Sequence, residues 1–149
     1  MNYLLDTNIL VHSIRLSTVG QKIEQQYQLF SGNHNLVISA VTKGELLSFA
    51  KQSAWGIAKM NKLTALLDAL TCVPIDGASA LMDAYADIDT YSQGKHLLYP
   101  TNPGFTSRNM GKNDLWIAAT SFLLDIPLLT TDYDFDHLQP HFIEVIKVA

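Results

Sequence analysis

The sequence predicts an α/β fold of three layers, an α/β/α sandwich in which helices cover both faces of a mainly parallel sheet. Three observations carry this. Short apolar runs alternate with segments of helical periodicity, the pattern of strands joined by right-handed crossovers. Apolar residues make up 48% of the 149 and charged residues 16%, enough to bury a core and too apolar for a disordered chain. No repeat, low-complexity tract or linker divides the chain, so residues 1–149 are expected to form a single domain.

The elements follow in order. Tyr3-Leu4-Leu5 reads as a buried strand that stops at Asp6-Thr7-Asn8, where Asp6 or Thr7 caps a helix carrying Ile9, Leu10 and Ile14. Between Gln21 and Phe30, the spacing of Ile23, Tyr27 and Phe30 predicts a one-faced surface helix, ended by Ser31-Gly32-Asn33. Leu36-Val37-Ile38 is the second strand, and Ser39 or Thr42 opens a helix through Leu46, Leu47, Phe49 and Ala50. After a break at Gly56, the run Met60, Leu63, Leu66, Leu67, Leu70 resumes helical spacing. Val73-Pro74-Ile75 is a short third strand, with Pro74 pointing to an edge or a strand end. Asp76-Gly77 turns into a helix over 78–91, with Leu81, Ala84, Tyr85 and Ile88 on one face. A long connection, 94–112, carries Pro100, Pro103, Gly104 and Gly111, and connections of this length are usually functional or mobile. Asn113-Asp114 caps a helix from Leu115 to Leu124. Ile126 to Thr130 forms a fourth strand, and Phe142 to Val148 alternates like a fifth.

Composition narrows the function. Ten Lys and Arg against fourteen Asp and Glu give a net charge of −4, which excludes nucleic-acid binding through net charge alone and leaves a local basic surface open. The most apolar stretch, Leu115 to Leu129, is broken by Asp125 and Pro127 and cannot span a bilayer, which needs about 20 apolar residues. The segment Met1 to Asp6 lacks the basic region of a signal peptide, and the lone Cys72 has no disulfide partner, so a cytoplasmic protein is expected.

Four acids are placed at the mouths of elements. In an open parallel sheet, ligands bind beyond the carboxyl ends of the strands. Asp6 follows the first strand, Asp132 follows the fourth, Asp114 opens the helix before that strand, and Glu45 lies one turn into the helix after the second. Each alone has a plain reading. Asp6 and Asp114 suit helix starts, Glu45 a solvated helix face, and Asp132, Asp134 and Asp136 a turn. Together they would repel one another unless a cation or retained protons neutralise them. Mg²⁺ or Mn²⁺ suits an all-oxygen donor set and completes its shell with phosphate, which points to metal-assisted phosphodiester hydrolysis.

The segments Leu4-Leu5-Asp6-Thr7-Asn8-Ile9-Leu10, Lys43-Gly44-Glu45-Leu46, Asn113-Asp114-Leu115-Trp116-Ile117-Ala118-Ala119 and Leu129-Thr130-Thr131-Asp132-Tyr133-Asp134-Phe135 resemble the ordered acidic motifs of PIN-domain ribonucleases, above all VapC-type toxins of bacterial toxin–antitoxin pairs. The resemblance spans nearly the whole chain. It implies a PIN-like α/β/α fold, Mg²⁺- or Mn²⁺-dependent endoribonuclease activity on RNA, a homodimer and a cognate antitoxin. By motif position, Asp6, Glu45, Asp114 and Asp132 match the family's acids. Asp6 and Asp114 would be direct metal ligands, Glu45 would ligate or orient a water, and Asp132 would support a second metal or the metal-bound water. Asn8 and Thr130 match the polar residues that hold these carboxylates in orientation. The extended 94–112 connection departs from a minimal member. Its Lys95, Tyr99, Arg108 and Lys112, with His96 and Phe105, combine cations with rings suited to single-stranded RNA.

Other residues suggest less. His137 and His141 are separated by Pro140 and make no zinc pattern. Cys72 reads as a packed thiol preceding the third strand, and Trp55 and Trp116 as core or interface anchors. Two alternatives remain at this stage: a non-catalytic PIN-like module binding RNA or protein, and a phosphatase using Asp6 as nucleophile. The second is disfavoured because Asn8 stands where an acid/base Asp is needed.

Overall fold

In the computed structural model, which describes residues 1–77, 79–101 and 104–148, the predicted strands form one parallel sheet. They are β1 (Asn2–Leu5), β2 (Asn35–Ser39), β3 (Thr71–Val73), β4 (Leu128–Thr130) and β5 (Val145–Lys147), in the order β3-β2-β1-β4-β5. The helices are α1 (Thr7–Arg15), α2 (Thr18–Tyr27), α3 (Ala40–Gln52), α4 (Ile57–Asp68), α5 (Ser79–Ser92) and α6 (Lys112–Leu124), with a 3₁₀ turn at Asp136–Leu138. Ala78, the expected start of α5, lies outside the described residues, as do Asn102 and Pro103 of the long connection.

Strand alternation creates the layers, because successive side chains leave a strand on opposite faces. Leu4, Val37 and Leu128 pack on one face against α5 and α6, through Leu81, Ala84, Ile88, Leu115 and Ala118. Tyr3, Leu5, Leu36, Ile38 and Leu129 pack on the other against α1 to α4, through Ile9, Leu10, Ile23, Leu46 and Leu63. The result is the α/β/α sandwich the sequence predicts. Among the described residues, no helix is long and apolar enough to cross a membrane.

Three local expectations shift. The third strand begins at Thr71 and ends before Pro74, because proline has no N–H to give the ladder; β3 is indeed an edge strand. Cys72 therefore lies within β3, not before it, and is exposed rather than packed. Its register partner Ile38 is fully buried, so the exposure reflects the rim of the sheet and not the wrong face. The cap of α6 is Gly111, without a side-chain hydrogen bond, so Asn113 and Asp114 are not caps. Asp114 sits instead in the first turn, where the helix dipole favours a negative charge and its carboxylate is free for other contacts.

The second helix starts earlier than the apolar spacing suggests. Ser17 caps it, its hydroxyl accepting from the Gly20 N–H at 3.0 Å. At Gly20 the backbones of α1 and α2 approach so closely that an added Cβ would overlap the His12 carbonyl. Gly20→Ala should therefore destabilise the protein by about 1–3 kcal/mol, the usual cost of overpacking. The sign would be opposite on helix propensity alone, which favours alanine by about 1 kcal/mol. Urea denaturation decides between them, and a variant as stable as the wild type would show that the helices separate at little cost.

The described parts of the 94–112 connection are tied to the body. The Arg108 N–H donates to the Ser92 carbonyl at 2.6 Å and the Lys95 N–H to that of Thr90 at 3.0 Å. His96 Nε2 meets Asp87 Oδ1 at 3.1 Å, while its Nδ1 accepts from the Leu98 and Tyr99 N–H groups. The Tyr99 ring lies 5.2 Å from that of Phe142, and Phe105 lies 5.9 Å from Tyr91, centroid to centroid.

Candidate active site

The site forms where the sheet changes direction. From β1 the chain proceeds to β2 on one side, while β4 lies on the other, and the crevice between the ends of β1 and β4 is the natural ligand position. Asp6 stands at that crevice as the N-cap of α1. Its Oδ1 accepts from the Thr7 N–H at 2.8 Å and its Oδ2 from the Thr130 hydroxyl at 2.7 Å. Thr130 closes β4, and its Oγ1 also accepts from the Asp132 N–H at 3.0 Å, which fixes the turn carrying the fourth acid. Glu45 is positioned from α3: its Oε1 accepts from the Thr7 hydroxyl at 2.7 Å, and Thr42 Oγ1 stands 3.2 Å from the same hydroxyl. One cap, two hydroxyls and two strand ends thus orient three of the acids.

Asp6, Glu45, Asp114 and Asp132 line one cleft of about 360 Å³, with Asn8, Val11, His12 and Arg15 of α1 on its wall. Burial pushes the Asp6 carboxyl up to about 6, although the Thr130 and Thr7 hydrogen bonds hold it down; the charges of Asp132 and Glu45 add to the rise. Burial likewise pushes Asp114 up to about 7, followed by the charges of Asp6, Asp134, Asp132 and Glu45. The acids therefore share one electrostatic environment. Asn8 adds a further signal, because its buried Oδ1 has no hydrogen-bond partner among the described residues. An orphaned oxygen beside a cluster of carboxylates is what a site built for a hydrated cation would contain.

Two further hollows each share one lining acid with this cleft. One, about 270 Å³, shares Asp114 and is lined by Arg108, Asn109, Met110, Gly111 and Asp134. The other, about 570 Å³, shares Glu45 and is lined by Val41, Gly44, Ser48, Phe49, Gln52 and Asn113. A separate hollow of about 790 Å³ between α1 and α2 contains none of the four acids.

Of the cations and rings expected to meet RNA, Arg108 lines the hollow beside Asp114, and Lys112 begins α6, exposed, two residues from that acid. Lys95 and Tyr99 line none of these three hollows. Sequence reasoning missed Arg15 and His12, although Asn8, Val11, His12 and Arg15 share one helical face by their spacing. It also left Asp134 as a turn residue, whereas its charge acts on Asp114.

Thr130→Val tests the arrangement without changing side-chain shape. The substitution removes a donor from Asp6 and an acceptor from Asp132, so the Asp6 carboxyl should rise further and the fold should lose about 1–3 kcal/mol. An acid with a raised pKa strains the fold more as pH rises, so urea denaturation should show a larger loss near pH 8 than near pH 5. Equal losses at the two pH values would show that the hydroxyl does not act through the Asp6 charge.

Comparison with known proteins agrees with this architecture. The PIN domain model matches residues 3–139. Among solved structures, the chain is similar to VapBC2 from Rickettsia felis bound to a DNA fragment from its promoter, at 22% identity and a TM-score of 0.74 over 100% of both chains. It is also similar to VapBC-1 from nontypeable Haemophilus influenzae, at 22% identity and a TM-score of 0.71, covering 99% of this chain and 98% of that one. A third likeness is to VapBC-5 from Mycobacterium tuberculosis, a member of the VapBC family of toxin–antitoxin systems, at 21% identity and a TM-score of 0.61 over 99% and 98%. No curated protein matches the chain. At these identities the structures speak for the fold, and the family model, which spans nearly the whole length and all four acidic segments, identifies the chain as a member of the PIN-domain family.

Proposed function

We propose that this PIN domain is a divalent-metal-dependent endoribonuclease acting as the VapC-type toxin of a toxin–antitoxin pair. The observation that carries the reading is the convergence of Asp6 and Asp114 in one cleft, each carboxyl pushed above its ordinary range by burial first and by the neighbouring acids after it. A cation would relieve both effects at once. Among the described residues, no three acidic, histidine or cysteine side chains stand close enough to form a ready-made metal cage. Mg²⁺ does not need one, because it keeps several waters and binds through one or two carboxylates together with substrate phosphate.

Asp6 and Asp114 would hold Mg²⁺ or Mn²⁺, with Glu45 and Asp132 as further oxygen donors. When bound, the ion supplies Lewis-acid stabilisation of the phosphoryl oxygens and an activated water. The chain's own groups do the positioning. The Thr130 hydroxyl and Thr7 N–H fix both oxygens of Asp6, the Thr7 hydroxyl fixes Glu45, and the buried Asn8 amide oxygen stands beside them without a partner among the described residues. Glu45 and Asp132 offer carboxylate oxygens to take the proton that hydrolysis releases.

The toxin role draws on the similar M. tuberculosis structure, which belongs to a toxin–antitoxin system. We propose the corresponding partners here: an RNA substrate, a cognate antitoxin that blocks the cleft, and a second copy of the chain in a cytoplasmic homodimer. The test is cleavage of RNA in Mg²⁺ or Mn²⁺, with and without chelator, and with the product of a small adjacent gene added. Cleavage that needs the ion and stops with that product supports the reading. Folded protein that binds RNA without cutting it in either ion would move the chain to a non-catalytic binding module.

A further inference from the structure

We infer that Arg15 and Arg108 are a pair of positioning residues that hold the phosphates on either side of the one being cut, so that a single RNA strand crosses the acids between two arginine edges. This rests on the proposed nuclease activity and adds to it a path for the substrate. The acid cleft has a neighbour at each of two acids, sharing Glu45 with the Phe49 hollow and Asp114 with the Arg108 hollow. Arg15 lines the acid cleft itself, and Arg108 lines the hollow that shares Asp114.

Both guanidinium groups are available. Both residues are exposed, and neither is in an ion pair among the described residues, where the pairs are His96 with Asp87 and Lys147 with Asp136. An unpaired cation on the wall of an acidic cleft calls for a reason, and the geometry gives one. The Arg15 guanidinium lies over the face of Phe49, 4.9 Å from the ring centroid, which holds it at the junction with the Phe49 hollow. Arg108 is held by its backbone, whose N–H donates to the buried end of α5 at Ser92. The Arg15 guanidinium is thus held beside the acids and the Arg108 backbone is anchored next to them, and neither arginine is paired with a carboxylate, leaving the carboxylates for a metal and the arginines for phosphate, which a guanidinium binds through two parallel hydrogen bonds. Asp6 is only 4% exposed, so the reacting linkage must dip into the cleft. A flexible single strand does this more readily than a stacked duplex, and two flanking phosphates anchored at the rim would hold the dip in place.

The test measures binding and cleavage separately. The probe is a fluorescently labelled 20-nucleotide single-stranded RNA, with a set of copies each carrying one uncharged methylphosphonate linkage. Arg15→Ala and Arg108→Ala should each raise KM, and the Kd measured by fluorescence anisotropy, about tenfold, with kcat changed less than threefold. Each should also flatten the salt dependence of binding, because one fewer phosphate contact releases fewer counterions. Neutralising one linkage on one side of the cut should weaken the wild type as much as Arg15→Ala does and weaken that variant no further. The same should hold on the other side for Arg108→Ala. Arg15→Lys and Arg108→Lys should recover part of the affinity. Unchanged Kd in either alanine variant, or losses that add to those of every neutral linkage, would overturn the pairing. Wild type that binds the RNA but fails to cut it would sink the nuclease reading while the Kd series still decides the arginines. Wild type that binds no RNA would overturn both.

Discussion

Replacing Asp6 or Asp114 with asparagine should lower RNA cleavage at least a hundredfold while leaving the fold intact. Asparagine caps a helix as well as aspartate does, its Oδ1 still accepting from the Thr7 N–H, while its Nδ2 replaces the oxygen that accepts from Thr130, whose hydroxyl must turn to accept in its place. Asp6→Asn removes the charge and reverses one hydrogen bond. Because burial already opposes that charge, the folded state should not weaken. Activity should behave differently, since the carboxylates at the β1 end and the α6 start would hold the ion. A hundredfold loss corresponds to about 2.7 kcal/mol of barrier, within what removing one ligand to a catalytic ion costs. Cys72→Ser is the control, because Cys72 lies exposed on the edge strand and lines neither the acid cleft nor its two neighbouring hollows. Cleavage assays on the three variants, with circular dichroism to confirm folding, decide the matter. Full activity in either asparagine variant, or loss confined to Cys72→Ser, would end the four-acid mechanism.

These positions were legible in the sequence for a physical reason. A strand buried on both faces reads as an apolar run, and a polar residue that ends it abruptly lies at the sheet's edge, where ligands bind. Leu4-Leu5-Asp6 and Leu129-Thr130-Thr131-Asp132 both have this form, and β1 and β4 are neighbours in the sheet. What escaped the sequence depends on how elements pack. Cys72 was misplaced because an apolar pattern shows which face a residue takes but not where the helix layer stops. Arg15 was passed over because its tie to the cleft runs through Phe49 of α3, far along the chain. Its face was nonetheless visible in the spacing 8, 11, 12, 15. Asp134 looked like ordinary turn chemistry until the turn was seen to face Asp114 across the Arg108 hollow. Composition alone does not show that the Tyr99 ring, still exposed, rests against Phe142.

Divalent ions should raise the melting temperature of the protein, and without them the protein should become more stable as pH falls from about 8 to about 6. Asp6 and Asp114 have folded-state values of about 6 and about 7, above an ordinary carboxylate near 3.8. Their protonated forms suit the fold. The penalty is absent below the ordinary value, grows as pH rises, and is complete once pH has passed about 7. His137 opposes this at lower pH. Burial and then Arg108 hold its imidazole down to about 4, below the usual 6.5, so stability is lost as pH falls from 6.5 toward 4. Glu24 also favours higher pH: burial raises it, but hydrogen bonds from Ser31 and Phe30 outweigh that and lower it, so its contribution is lost only in the low carboxylate range. Between pH 8 and 6.5 the acids of the cleft act almost alone, and the gain should slow below that. Mg²⁺ or Mn²⁺ at a hundredfold excess over Kd should add about 2.7 kcal/mol at neutral pH, roughly 6–10 °C in a chain of this length. Asp114→Asn should be more stable than the wild type without metal at pH 8, because it removes a carboxylate that burial and four neighbouring acids oppose. It should also lose most of the metal response. Melting curves of both proteins in chelator and across an ion titration test each part. A wild type that ignores the ions, or a variant with an equal shift, would show that the acids are not a shared cation site.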